Sequence, residues 1–287
     1  MKKIVIFIIL VFVISLSALA SSVNPLAIPD NNLERPVLKY KNLEPTMTEQ
    51  DFNQVLNTLE KIYAPAILAR GGYPLLMKGD WSSAVVNAYA TREVNSWKVH
   101  VAGGIARSKG MTKDSLALIV CHELGHHLGG APRTFLFEGW PSAEGQADYW
   151  ASSKCLKRYY AELLSEEIVI NKNIPEKVLA DCTNTYSDTK EMKICVRTMM
   201  ATMNFSTFLN ALGTTRYITS ILNKDNREVK GTNTNDYPRP QCRIDTLYQG
   251  ALCTVEADTE TSETDAKLGH CNDATKLGTR PRCWYRP

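Results

Sequence analysis

The stretch Thr112–Gly130, "TKDSLALIVCHELGHHLGG", holds three of the five histidines in the chain. It reads as one helix. Thr112 serves as N-cap, Asp114 suits the positive end of the helix dipole, and Gly129, Gly130 and Pro132 stop it. The run ahead of the histidines is apolar nearly all round, which predicts a central, buried helix. His122 and His126 are four residues apart, so their side chains lie on one helix face, one above the other. Two imidazoles so placed can share a metal ion. Glu123, beside them, is placed to take a proton from water on that ion. His127 points away from the shared face and reads as a supporting or surface histidine.

The HExxH pattern is the signature of zinc peptidases. Catalytic zinc needs a third protein ligand and one open position. "EGQAD" supplies the candidate. Glu144 and Asp148 are again four apart and share a face, continued by Ala151 and Cys155, with small Ala147 one step off it. Such a surface packs closely on another helix. Glu144 is therefore expected to bind Zn2+ with His122 and His126. Asp148 is expected to accept a hydrogen bond from a ligand histidine, as such histidines usually require. His100 and His270 have no partner at ligand spacing and read as structural or surface residues.

The rest of the chain sets the context. Its 287 residues can bury a proper core. A net charge of +3, without a concentrated Lys/Arg run, gives no reason to expect nucleic acid. Residues 1–20 read as a signal peptide: Lys2 and Lys3, then "IVIFIILVFVISL", then "ALA" with cleavage after Ala20. The alternative is an uncleaved anchor, for which the apolar run is short. No later stretch is long and apolar enough to span. The mature protein is expected to be periplasmic or extracellular, with no stable membrane span. Its eight cysteines suit an oxidising compartment. Local spacing favours Cys182–Cys195, Cys242–Cys253 and Cys271–Cys283. Cys121 is either a small buried hydrophobe or a partner of Cys155.

Residues 21–47 read as an extended leader, 48–253 as the main domain and 254–287 as a polar, disulfide-pinned tail. "TVEADTETSETD", residues 254–265, reads as a mobile loop. Thr48 caps a helix whose apolar residues, Phe52 to Tyr63, recur at helical spacing. "YPLLMKGDW", "SAVVNAYA" and "SWKVHVAGGIA" predict a small sheet. A further helix is expected from Pro141 and Ser142 onward, and residues 188–222 read as mostly helical.

These motifs together carry a resemblance. HExxH followed by ExxxD is similar to the gluzincin peptidases. The "ExxAD" form resembles the CAAX prenyl protease and heat-shock membrane protease family, which has soluble exported members. "VNAYA" (Val86–Ala90) and "WKVHVAGGI" (Trp97–Ile105) resemble that family's "NAFA" strand and the strand ahead of its active-site helix. "YPRPQCRIDTL" (Tyr237–Leu247) resembles its "HPPxxxRIxxL" segment, with Pro238, Arg243, Ile244 and Leu247 in register. The likeness covers roughly residues 48–250. Two departures stand out. The gap between His126 and Glu144 is short, and Tyr237 replaces the family's histidine.

The resemblance implies an α+β, helix-rich, zincin-like catalytic domain with a small sheet beside the HExxH helix. It implies a zinc-dependent endopeptidase acting on a protein or peptide, with Glu123 as general base and Tyr237 as an oxyanion donor. The strand Trp97–Val101, with Trp97, Val99 and Val101, is either the edge that receives an extended substrate or an ordinary inner strand. A different class remains open: a non-catalytic binding or chaperone-like module with structural zinc. So does an inactive relative with a closed cleft. The intact glutamate of HExxH argues for catalysis, since structural zinc has no use for a base.

Overall fold

The computed structural model describes residues 28–29, 33–35, 47–136, 139–163, 173–213 and 218–287. The expected signal peptide lies outside these, as does most of the leader. The first helix, α1 (Glu49–Gly71), starts where expected. Thr48 Oγ1 accepts from Asp51 N, and Thr48 N donates back to the Asp51 carboxylate, both at 3.1 Å. Phe52, Val55, Leu56, Leu59, Tyr63 and Ile67 form its buried stripe. Gly72, at φ 71°, ends it in the left-handed region.

Three strands follow: β1 (Leu75–Asp80), β2 (Ala88–Glu93) and β3 (Ser96–Ala102). Their order is β1-β3-β2. β3 pairs parallel with β1 and antiparallel with β2; Val99 sits between Met77 and Ala90. Trp97, Val99 and Val101 all point into the core. β3 is therefore an inner strand with both edges paired. That overturns the reading of Trp97–Val101 as a substrate-receiving edge. Alternation of apolar residues shows which face is buried, but not which strands lie alongside.

The short α2 (Gly103–Ala106) leads to α3 (Lys113–Leu128), capped by Thr112. Every residue of α3 from Ser115 to Leu128 is buried. It packs against α1, β2, β3 and the helices that follow, which explains its lack of a polar face. The next helix, α4 (Glu144–Trp150), begins later than Pro141 and Ser142 suggested. Residues 141–143 are engaged elsewhere: Pro141 O accepts from Thr134 N, and Ala143 N donates to Pro132 O. A π-helical turn (Ala151–Cys155) joins α4 to α5 (Leu156–Glu162). α6 (Glu176–Thr185) and α7 (Thr189–Leu212) follow. α7 covers most of the run 188–222 expected to be mostly helical; Gly213 caps it, and residues 218–222 lie outside the helix. α8 (Pro240–Ala251) completes a helix-rich α+β architecture.

All eight cysteines are bonded, as Cys121–Cys155, Cys182–Cys195, Cys242–Cys283 and Cys253–Cys271. The first ties α3 to the end of the π-helical turn. The last two replace the expected Cys242–Cys253 and Cys271–Cys283. The cause is the path of residues 254–287, which double back over α3 and α4. Thr261 is buried and donates to Leu128 O at 2.6 Å, and Ala131 N donates to Ser262 O. "TVEADTETSETD" is therefore anchored within the fold, not a mobile loop. Among the described residues, no helix is long and apolar enough to cross a membrane. That and the complete pairing of cysteines fit an exported chain.

Candidate metal centre

Two helices build the site, and two small residues set their distance. A Cβ on Gly125 would lie 2.9 Å from the Ala147 backbone, so α3 and α4 touch main chain to main chain. This contact brings the His122/His126 face of α3 against the Glu144/Asp148 face of α4. The Nε2 atoms of His122 and His126 are 3.2 Å apart. Glu144 Oε2 lies 3.2 Å from His122 Nε2, and Oε1 lies 3.6 Å from His126 Nε2. His122, Glu123 and His126 are buried, while the Glu144 side chain keeps 11% exposure.

The outer nitrogens fix what the inner ones can do. His126 Nδ1 donates to Ser142 O at 2.9 Å, and a carbonyl can only accept. His122 Nδ1 donates to Asp148 Oδ1 at 2.8 Å. Asp148 in turn receives Arg243 Nε at 2.7 Å and Nη2 at 2.8 Å, a bidentate pair sealed in the core. Burial would raise the Asp148 carboxyl, but the charges and hydrogen bonds of Arg243 and His122 together outweigh it and hold it at about 2. In neutral rings both inner nitrogens therefore present lone pairs, to each other and to a carboxylate.

Such a convergence of acceptors can hold a cation. Zinc bound tetrahedrally at about 2.0–2.1 Å places its ligand atoms roughly 3.3 Å apart. The two imidazole nitrogens, 3.2 Å apart, suit that spacing, and the Glu144 carboxylate straddles them, Oε2 at 3.2 Å from His122 and Oε1 at 3.6 Å from His126. Without a cation, burial lowers the His122 imidazolium but Asp148 more than compensates, raising it to about 10. His126 is pushed down by burial to about 4. One ring would thus take the proton that a metal would replace. The donor set, two imidazoles and a carboxylate with supporting acceptors on both outer nitrogens, fits Zn2+.

Glu123 occupies the next position on α3. Its ligand-capable oxygens come within 4.8 Å of both imidazoles, but Glu144 approaches them more closely. Both Glu123 oxygens are buried without a hydrogen-bond partner. Burial raises its carboxyl to about 8, against the pull of His122. Tyr237 is half-buried, its ring 5.9 Å from Arg243 Cζ.

The remaining histidines are structural. His127 is buried, not a surface residue. It donates to Lys98 O at 3.0 Å and stacks on Trp97 and Trp140. His100 stacks on Tyr89, and His270 accepts from Gln146 on α4. Asp225, Cys242 and Cys283 also cluster, but the disulfide leaves no thiolate to bind metal. Sequence spacing missed the role of Arg243, 95 residues beyond its partner Asp148, because nothing local marks a long-range ion pair. It also missed Arg92, whose guanidinium lies 3.5 Å above the Trp97 ring.

Comparison with protein-family models, with curated proteins and with solved structures finds no match for this chain.

Proposed function

We propose that the chain is a zinc-dependent endopeptidase with a gluzincin-type centre. His122, His126 and Glu144 hold the metal. The observation that carries this reading is a convergent, acceptor-only pocket beside a buried carboxylate, Glu123, with no structural partner. A structural zinc site would leave that carboxylate as a cost without a return.

Bound zinc would supply a Lewis acid for the scissile carbonyl and the attacking water. Glu123 accepts the water proton and delivers it to the leaving amine. Its raised affinity for protons suits a group that must hold one between the two steps. Asp148 and Ser142 O fix the ring orientation of the ligand histidines, and Arg243 keeps Asp148 ionised. Tyr237 donates from its hydroxyl to the oxyanion. An extended peptide lies along β2, not β3. β2 packs on α3, and its outer edge pairs with no strand among the described residues beyond the Glu34–Val85 bridge just ahead of it. The sequence motifs that resemble the CAAX prenyl protease and heat-shock membrane protease family fall on the elements this reading requires.

The deciding experiment measures zinc content and casein hydrolysis together on purified protein. About one zinc per chain and chelator-sensitive cleavage are expected. Glu144→Ala should lose both. Full zinc retention in that variant removes Glu144 from the site, and a zinc-loaded wild type that cleaves nothing defeats the peptidase reading.

A further inference from the structure

The mechanism leaves Arg92 unused, and the fold holds it by stacking and one backbone hydrogen bond, with no ion pair among the described residues. It is the fifth residue of β2 and faces Trp97 across the strand pair. Its guanidinium lies 3.5 Å above Trp97 and 4.9 Å from the Trp140 ring. Nη2 donates to His127 O at 3.2 Å. Nε is buried and has no partner. No carboxylate pairs with it among the described residues. Glu263 is nearby, but it is bonded to Arg133 at 2.8 Å. Arg133 and Arg70 add positive charge close by, and both are committed: Arg133 also to Trp140 O, Arg70 to Leu128 O and Thr261. An arginine held by stacking, with one donor, Nε, left without a partner and with no counter-ion among the described residues, is suited to receive an anion.

Its position says which anion. Glu123 and His127 are four apart on α3 and share a face, so His127 lies one turn, about 5.4 Å, beyond Glu123. Arg92 bonds the His127 carbonyl at that level. It also belongs to the strand whose free edge would carry the peptide. We propose that Arg92 determines substrate specificity by taking a peptide carboxylate, either an acidic side chain or the free C-terminus. This rests on the peptidase reading for its setting, but the recognition is testable without catalysis.

Two assays separate the possibilities. The first compares hydrolysis by zinc-loaded protein of peptide libraries that scan Glu against Gln through each position, with free or amidated C-termini. The wild type should favour the carboxylate member of a matched pair by roughly 10- to 100-fold, the scale of one charged hydrogen bond. Preference for internal Glu assigns a side-chain site; preference for the free terminus assigns a carboxy-terminal one. Arg92→Gln should abolish the preference, and Arg92→Glu should turn it toward Lys-containing peptides. The second assay measures binding of the same fluorescent peptides to Glu123→Gln protein and to its Arg92→Gln derivative. If no peptide is cleaved, the peptidase reading fails while the binding assay still decides on Arg92. Equal affinity for the matched peptides, or a preference that survives Arg92→Gln in a variant with native circular dichroism, overturns the proposal. Should Arg92→Gln not fold, Arg92→Lys keeps the charge without the planar fork, and an undiminished preference in it refutes recognition by the guanidinium fork.

Discussion

Glu123 sits in the core as a carboxylate that nothing bonds, and the consequence is measurable. In metal-free protein its carboxyl is raised by burial to about 8, whereas the unfolded chain releases that proton near 4.5. Between these values the folded state holds a proton that the unfolded state has lost. Stability therefore falls as pH rises through the window and levels off above it. Glu123→Gln removes the titration. In chelator, its melting temperature should exceed that of wild type by several degrees near pH 8.5 and by little near pH 4, read by scanning calorimetry. With zinc, the same variant should keep the metal and lose hydrolysis. Arg243→Ala acts differently, stranding the Asp148 carboxylate in the core. It should cost about 3–5 kcal/mol by urea unfolding and weaken zinc binding about 10- to 100-fold in a chelator competition. Tyr237→Phe should spare zinc and KM and lower kcat by about 10²–10³-fold. A kcat within about twofold of wild type would move the oxyanion donor elsewhere.

At the scale of elements, the site depends on how closely α3 and α4 approach. Gly125→Ala adds one methyl 2.9 Å from Ala147 Cα and O, where only backbone can yield. The helices must separate, at a cost of about 1–3 kcal/mol. Glu144 then withdraws from the imidazoles, so zinc affinity should fall with stability; unchanged affinity would show that the contact does not set the ligand geometry. Much at this scale was legible in the sequence. Thr48 and Thr112 announced their helices through capping chemistry, and the four-residue spacings of His122/His126 and Glu144/Asp148 placed each pair on one face. Other features had no local signal. β3 became the inner strand because β1 joins it in parallel on the side away from β2. α4 started late because Pro141 to Ala143 pair with residues 132–134. The Asp148–Arg243 link joins two helices that share no sequence pattern.

For the whole molecule, the last 34 residues matter more to the proposed metal centre than their polar composition suggests. They end α3 by giving Leu128 O a hydroxyl from Thr261, beside the Arg70 guanidinium. They hold α4 through Gln146, which donates to His270 and accepts from Arg280 at 3.0 Å. Trp284 is fully buried over Gly145, where an added Cβ would fall 2.3 Å from the indole ring. Gly145 is the neighbour of Glu144, the proposed ligand, so Trp284 supports the first turn of α4. The bonds Cys242–Cys283 and Cys253–Cys271 fasten this wrapping segment to both ends of α8. Proteolytic mapping by mass spectrometry should recover those two pairs, not the sequential ones. Trp284→Ala leaves a large cavity against α4 and should cost about 3–5 kcal/mol by urea unfolding. Because the cavity adjoins Glu144, zinc affinity should fall in the folded variant as well. Phe205, buried beside Arg243, gives a comparison for stability alone: Phe205→Leu should cost less. If Trp284→Ala loses stability but binds zinc as tightly as wild type, the wrapping segment supports the fold alone and the first turn of α4 holds Glu144 unaided.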